Sequence, residues 1–199
     1  MPLPIIPGPN NELMTQSLAV PPQYKTYADT ADTASYALTA SYVDHTWGSW
    51  YSTTTQTASF INTAYPVSVN TLVGADGFYI SGSNGSTVSG SHIVIPKTGK
   101  YDFQFSLQLH NTGGGGATAA VDIWLKVNNT NVPYSNTHVS VIANSPYVVA
   151  AWDFMDSYDA GDKVQLMWST NHANIQIEAI ATSAPAPETP SVIFTIMEL

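Results

Sequence analysis

Strict alternation near the middle of this 199-residue chain constrains its fold more than any other sequence feature. Successive side chains of a strand point to opposite faces, so an apolar residue at every second position predicts a half-buried strand. A helix would distribute the same side chains around its circumference, which excludes it here. Residues 96–99 (PKTG) predict a turn between this strand and a shorter one before it. The apolar positions are Tyr101, Phe103, Phe105, Leu107 and Leu109, and the polar positions are Asp102, Gln104, Ser106, Gln108 and His110.

Short strand patterns separated by turn signals continue to the C-terminus. The gaps between them are too short for the helical crossovers that parallel strands need, so the strands are predicted to be antiparallel. Many short strands at regular spacing indicate an all-β sandwich or barrel. The predicted strands are residues 67–72, 78–81, 91–95, 100–109, 119–127, 131–134, 137–142, 147–155, 163–169, 175–181 and 191–198.

Charge and residue usage exclude several classes of function. Five Lys plus Arg against fourteen Asp plus Glu give a formal net charge of −9. Phosphate contacts need clustered cations, so we predict no nucleic-acid partner. No apolar run approaches the roughly 20 residues of a membrane helix, which predicts no membrane insertion. The absence of cysteine excludes disulfides and thiolate chemistry, and the first residues do not resemble a signal peptide.

Residues 1–25 are rich in proline and yet apolar. Proline fixes φ and lacks an amide donor, so neither a helix nor a central strand suits this segment. We predict an extended N-terminal arm that orders on a partner, with a solvated leader as the alternative. The side chains predicted to bind that partner are Leu3, Ile5, Ile6, Leu13 and Met14.

Residues 26–64 contain a short repeat. Thr-Ala-Ser-Tyr begins at Thr33 and at Thr39, and Thr-Ala-Ser-Phe begins at Thr57. Such a segment cannot build a core within one chain, but it can do so between chains, where small residues let the copies approach an axis. We predict a short trimeric stalk, either helical or extended, with a disordered linker as the alternative. Its aromatic residues are Tyr36, Tyr42, Trp47, Trp50 and Phe60, of which the two tryptophans could instead stack on a sugar or a receptor.

Three segments, in this order, resemble the jelly-roll domains of the tumour-necrosis-factor and complement globular-head family. Residues 95–103 (IPKTGKYDF) resemble its Gly-x-Tyr strand, and residues 158–166 (YDAGDKVQL) resemble its Gly-Asp-x-Val turn. Residues 190–199 (PSVIFTIMEL) resemble its closing strand, which runs through the middle of the inner sheet. The resemblance covers residues 65–199 and implies an antiparallel jelly-roll sandwich of about ten strands, usually assembled as a homotrimer. With the repeats and the proline-rich N-terminus, the whole chain resembles the fibre and head-decoration proteins of tailed bacteriophages.

No catalytic or metal-binding motif stands out in the sequence. The five histidines have no ligand partner at short spacing, and no HExxH or GxSxG motif occurs. We therefore predict no enzymatic activity and no cofactor. One acidic series could place carboxylate oxygens around Ca²⁺, although use of these residues in turns is the favoured interpretation. The series is Asp153, Asp156, Asp159 and Asp162.

These features together predict a structural virion protein assembled in the host cytoplasm. Residues 1–25 would attach it to other virion proteins, residues 26–64 would form the trimeric stalk, and residues 65–199 would form the displayed head. A fibre or decoration protein on the phage head is slightly favoured over one on the tail. The alternative is the adhesin tip of a tail fibre, which would bind a receptor or host-cell surface glycan through its loops.

Overall fold

The computed structural model describes residues 45–81, 90–114, 116, 118–143 and 147–199. These ranges contain β-strands and no helix, and every pair of strands is antiparallel. The fourteen strands are β1 (Trp47–Ser52), β2 (Gln56–Thr57), β3 (Tyr65–Pro66), β4 (Thr71–Ala75), β5 (Tyr79–Ile80), β6 (Ile93–Val94), β7 (Gly99–Asn111), β8 (Thr118–Val127), β9 (Thr130–Asn131), β10 (Thr137–Ile142), β11 (Val148–Tyr158), β12 (Lys163–Thr170), β13 (Ile175–Ile177) and β14 (Val192–Glu198). The predicted all-β antiparallel class is confirmed.

The strands form two sheets that pack as a sandwich around one core. In sheet I the order is β2, β13, β7, β14, β1 and β4, and β11 also pairs with β7. In sheet II the order is β10, β8, β12, β6 and β5, with β3 paired to β12 and β9 paired to β8. The closing strand β14 lies between β7 and β1, in the middle of sheet I as predicted. No helix in the described ranges is long and apolar enough to cross a membrane.

The alternating stretch forms β7, the longest strand. Its apolar side chains from residue 101 to residue 109 are at most 4% exposed. Phe105 lies opposite Phe194 of β14 and opposite Trp152 of β11. The rings of Phe105 and Trp152 meet edge to face with centroids 4.5 Å apart, and Phe103 and Phe194 have centroids 5.4 Å apart. The predicted aromatic inner face is confirmed.

Sheet II covers this face with aliphatic side chains and one tryptophan. Ile123 and Leu125 on β8 point into the core, as do Leu166 and Trp168 on β12. Each aliphatic side chain buried in this way contributes about 1.5–3 kcal/mol to the free energy of unfolding. Strands β7 and β14 of sheet I and strands β8 and β12 of sheet II thus each contribute core side chains at alternate positions.

Two of the segments that carry the family resemblance meet at the end of the sandwich. The Gly161 amide donates to the Ile95 carbonyl at 2.8 Å, and the Ile95 amide donates to the Asp162 carbonyl at 2.9 Å. Gly161 has a φ of 89°, which favours glycine. The Tyr101 hydroxyl donates to the Lys97 carbonyl at 2.7 Å. The turn around Lys97 carries the chain from β6 in sheet II to β7 in sheet I, so the two strands do not form a hairpin.

Among the described residues, the sandwich includes β1, which lies before the predicted head boundary at residue 65. Strand β1 pairs with β14 along its whole length and with β4 on its other side. Its inward positions are Gly48, Trp50 and Ser52, which lack the apolar alternation that identifies a strand. Trp50 is 1% exposed, and a Cβ on Gly48 would lie 2.2 Å from its ring. The missing side chain of glycine therefore makes the space that the indole fills.

Candidate functional site

The outer face of sheet I carries most of the exposed apolar side chains that lie on strands. Among the described residues, seven large exposed hydrophobic side chains lie on strands of sheet I and two on strands of sheet II. Large exposed apolar patches on soluble proteins mark surfaces that bind another molecule. Leu72 lies opposite the inward-facing Trp50, at the edge of the sheet. The other six belong to the outer face and are Trp47, Val73, Val149, Met155, Ile193 and Met197.

The outward side chains form rows across β1, β14, β7 and β11. The upper row is Trp47, Met197, Asp102 and Met155, the middle row is Ser49, Thr195, Gln104 and Asp153, and the lower row is Tyr51, Ile193, Ser106 and Ala151. In the middle row, the hydroxyl groups of Ser49 and Thr195 are 3.3 Å apart. A polar band thus separates two bands that carry apolar side chains. Such a surface offers both apolar contact area and hydrogen-bonding groups to a partner.

Asp102 is unusual because it is 6% exposed although it lies on the outer face. It lies opposite Met197 on one side and Met155 on the other. One carboxylate oxygen accepts a hydrogen bond from the Gln104 amide at 2.7 Å. The other oxygen is buried without a hydrogen-bond partner in the described part of the chain. The methionines therefore shield a polar group in the centre of the upper row.

A recess of about 250 Å³ lies beside the lower row. Its walls come from β1, the bulge in β4, and the segment that precedes β14. A partner side chain could enter it, because it is concave and predominantly apolar. The lining residues are Tyr51, Thr53, Val73, Glu188, Pro190 and Ile193.

A charged group ties the first described residues to the end of the closing strand. Glu198 forms an ion pair with Lys97 at 2.7 Å. Glu198 also accepts hydrogen bonds from the Thr46 amide at 3.2 Å and the Thr46 hydroxyl at 3.0 Å. The hydrogen bond from Lys97, together with those from Thr46, lowers the pKa of Glu198 despite partial desolvation. This contact stabilises the edge at which β1 begins.

A second polar group lies at the opposite end of β7. His110 hydrogen-bonds to Glu178, and its ring centroid is 4.6 Å from that of Tyr147. Burial and the nearby Glu178 carboxylate raise the pKa of the Tyr147 hydroxyl. The described residues contain no group of three or more His, Asp or Glu side chains that could hold a metal ion.

The structure separates the residues that were predicted to form the stalk. Trp47 is 43% exposed on the outer face of sheet I, over Gly74 of β4. Trp50 differs from the prediction because it belongs to the core. Phe60 is 73% exposed in the loop between β2 and β3. The remaining predicted residues lie outside the described ranges: Tyr36 and Tyr42 of the stalk, and Leu3, Ile5, Ile6, Leu13 and Met14 of the arm.

The acidic series does not form one cluster. Asp153 points outward from β11, and Asp156 accepts a hydrogen bond from the amide of the next residue. Asp162 accepts hydrogen bonds from the Asn128 side chain at 2.7 Å and from the Asp159 amide at 2.9 Å. Asp159 and Asp162 are thus used in the turn between β11 and β12.

Ile193, Met197 and Met155 were not identified from the sequence. One signal could have pointed to the first two: β14 has apolar residues at both alternate sets of positions, with Val192, Phe194 and Ile196 inward. A strand that is apolar on both faces is expected to be covered on both faces. Met155 follows no such pattern, and only its position opposite Asp102 places it on the same surface.

No protein-family model matches this sequence, and no curated protein matches it. Among solved structures, three crystal structures of murine APRIL are similar. The structure at pH 5.0 has a TM-score of 0.49 and 11% sequence identity, and the match covers 78% of this chain and 100% of that chain. The structures at pH 8.5 and pH 8.0 each have a TM-score of 0.47 with the same identity and coverage. The fold of this chain is defined by its own strand order and register.

Proposed function

We propose that this chain is a non-enzymatic structural protein of a phage particle, a homotrimeric fibre or decoration protein whose sandwich is displayed on the virion. The observation that carries the proposal is the concentration of exposed apolar side chains on the outer face of sheet I. The resemblance of residues 95–103, 158–166 and 190–199 to trimeric jelly rolls supports three copies. The proline-rich arm and the Thr-Ala-Ser-Tyr repeats support attachment to a particle.

The size of the surface suits association between copies. A standard interface buries about 800 Å² on each partner, which requires most of a sheet face rather than a single recess. The rows of sheet I extend over four strands and combine methionine, isoleucine and tryptophan with polar side chains, and two of their twelve residues, Asp102 and Asp153, are charged. Methionine and aromatic residues are enriched in the centres of interfaces, where charged residues are depleted. Each copy therefore presents a surface of suitable composition to its neighbours.

Light scattering of the full-length protein at micromolar concentration tests the assembly. The expected mass is three times that of the 21.3 kDa chain. Ile193→Asp places a charge in the lower row of sheet I and is expected to yield monomers. Ile142→Asp is the matched control, because Ile142 is 52% exposed on sheet II and Ile193 is 43% exposed on sheet I. A monomeric parent protein, or dissociation of both variants to the same extent, would contradict assembly through sheet I.

Imaging of purified particles tests the place of the protein in the virion. The labelled chain is expected in a copy number divisible by three. The label is expected on the phage head if the favoured location is right, and on the tail if the alternative location is right. Particles produced with the chain deleted are the control for labelling. Absence of the chain from purified particles would refute the virion function, but it would not contradict the proposed assembly into trimers.

A second candidate function is recognition of a receptor or host-cell glycan. One observation favours it: the loop that follows β9 presents a fully exposed tyrosine, Tyr134, beside polar and aromatic side chains of sheet II. An adhesin needs such a site on a surface that remains accessible after assembly through sheet I.

A further inference from the structure

A groove of about 310 Å³ lies on the outer face of sheet II. Its size is at the lower end of the roughly 300–1,000 Å³ typical of small-molecule sites. Its floor comes from β8 and β12, and its wall comes from β9 and the loop that follows. The lining residues are Asp122, Trp124, Asn131, Val132, Tyr134, Asn136 and Ser169.

The wall of the groove is held in place by hydrogen bonds to β8. Asn128 and Asn129 have φ values of 48° and 68°, which allow the tight turn between β8 and β9. Beyond β9, the Val132 amide donates to the Leu125 carbonyl at 3.0 Å. The buried Ser135 hydroxyl accepts from the Leu125 amide at 3.0 Å and donates to the Val132 carbonyl at 2.9 Å. The groove is therefore pre-formed rather than a gap beside a loose loop.

Tyr134 has a backbone conformation that is costly for a bulky residue. Its φ is 63°, in the left-handed region, at the position after Pro133 where turns usually have glycine or asparagine. Its side chain is fully exposed, so burial of the ring does not compensate for the strain. Strained residues held by their surroundings are concentrated at ligand-binding sites. The loop thus presents an aromatic ring to solvent at the rim of the groove.

Trp124 provides a second aromatic surface, on the floor. Its indole Nε1–H donates to the Asn131 side-chain oxygen at 2.9 Å, which fixes the orientation of the ring. Trp124 is half-buried and lies opposite Met167 on the outer face of sheet II. The core on either side of Trp124 is formed by Ile123 and Leu125. An indole in this position is available to a ligand.

Asp122 brings a carboxylate to the same floor. Its Oδ1 accepts hydrogen bonds from the Asn136 amide at 3.1 Å and from His138 Nδ1 at 3.0 Å. Burial alone would raise the pKa of Asp122, but the hydrogen bonds from His138 and Asn136 outweigh it and lower the pKa, so the group is ionised at neutral pH. Ser169 lies directly opposite Asp122 on β12. Both hydrogen bonds to Asp122 fall on Oδ1 and the side chain is partly exposed, so Oδ2 is the oxygen that a ligand hydroxyl could reach.

We propose that this groove binds a neutral sugar, with the apolar face of a pyranose ring against an aromatic side chain and its hydroxyl groups hydrogen-bonded to Asp122 and the neighbouring amides. Sugar rings combine a flat C–H face with a rim of hydroxyl donors, and the groove combines aromatic rings with carboxylate and amide acceptors. Acidic sugars are disfavoured because Asp122 and a net charge of −9 repel anions. All lining residues belong to one protomer, so binding does not depend on trimer assembly.

Titration of the full-length protein with neutral methyl glycosides of glucose, galactose, mannose and N-acetylglucosamine tests the proposal, with sialyllactose as the acidic comparison. Calorimetry and tryptophan fluorescence would report binding. At least one neutral glycoside is expected to bind with a dissociation constant in the millimolar range, as suits a shallow site. Asp122→Asn and Tyr134→Ala are each expected to weaken binding at least tenfold. The same affinity is expected for the Ile193→Asp variant, which separates this inference from the proposed trimer.

Two matched controls accompany these variants. Asp153→Asn removes an exposed carboxylate from sheet I, and Tyr79→Ala removes an exposed tyrosine from β5, outside the groove. Both are expected to bind the sugar as the parent protein does, and thermal melting would establish that all four variants are folded. The proposal is overturned if no neutral glycoside binds at 100 mM, if sialyllactose binds more tightly than all of them, or if Asp122→Asn and Tyr134→Ala bind as well as the controls.

Discussion

The substitution Gly48→Ala tests whether residues 45–52 belong to the sandwich. An added Cβ would lie 2.2 Å from Cη2 and 2.8 Å from Cζ3 of Trp50, whereas ordinary contacts begin at 3.4 Å. The indole would therefore have to move by roughly 1.2 Å, the difference between 3.4 and 2.2 Å. Trp50 is fully buried among core residues, so the displacement would be transmitted to its neighbours.

Two opposing effects set the magnitude of the change. Forcing an extra methyl group into a packed core costs about 1–3 kcal/mol. Alanine also restricts the unfolded chain more than glycine does, which stabilises the folded state by about 0.4–1 kcal/mol where the backbone permits it. The net expectation is a loss of up to about 2.6 kcal/mol in the free energy of unfolding. For a domain of this size, that loss lowers the melting temperature by up to about 10 °C.

Urea denaturation followed by tryptophan fluorescence measures this loss, and Gly74→Ala is the matched control. The added Cβ at Gly74 would lie 2.7 Å from the Trp47 ring, but Trp47 is half-exposed and can move into solvent. Gly74→Ala is therefore expected to be neutral or slightly stabilising. In a Trp50→Leu background, Gly48→Ala should lose its penalty, because the ring with which it collides is gone. Equal stability of the two alanine variants would refute the placement of β1 in the core.

Three further predictions concern the core, the edge of the sandwich and the arm. Phe105→Ala should reduce the free energy of unfolding by about 3–5 kcal/mol. Phe60→Ala, at an exposed site, should change it by less than about 0.5 kcal/mol. Similar losses for both variants would contradict the inward orientation of Phe105 on β7. The Glu198–Lys97 pair should add to the free energy of unfolding above pH 4.5, the pKa of Glu198 in the unfolded chain. This added stability should be lost as the pH falls through the lower pKa that Glu198 has in the folded protein. Chemical denaturation between pH 3 and 7 should therefore show a shallower acid loss for Glu198→Gln, and an unchanged profile would contradict the role of this pair. Deletion of residues 1–25 should leave a trimer with unchanged melting and abolish incorporation into particles; loss of cooperative melting would show that the arm belongs to the folded unit.

Strands that alternate strictly could be predicted from the sequence. Strand β7 was expected over residues 100–109 and is observed at Gly99–Asn111, and β10 was expected and observed at residues 137–142. Each of these strands has one face in the core, so its hydrophobic pattern reports its environment directly. Strand β4 was placed four residues too early, because the buried Val67 and Val69 lie in extended chain before the strand.

The sequence pattern predicted the strands better than it predicted the residues of the two candidate surfaces. Met155 lies on β11 and Met197 on β14, with β12 and β13 between them along the chain. Only the pairing of β11 and β14 with β7 brings the two methionines to either side of Asp102. The groove on sheet II likewise joins Asp122 and Ser169 from β8 and β12 with a tyrosine from the loop after β9. A pattern within one segment carries no information about which segment lies beside it.

By itself, the sequence determined that the chain forms an all-β antiparallel sandwich, because side-chain alternation along each strand is a local property with a period of two. The resemblance to the jelly-roll family implied the turn at Gly161 and the central position of the closing strand. Only the tertiary structure decided that β1 belongs to the core, since Trp50 fits there through the space left by Gly48. It also decided that apolar side chains from separate strands share the outer face of sheet I, and that Trp124 and Asp122 open onto one groove. Gly48 with Trp50, and Asp122 with Trp124, are each two residues apart on a single strand. The neighbours of these strands and the sharing of a face by separate strands depend on strand register and sheet order, which arise from long-range pairing.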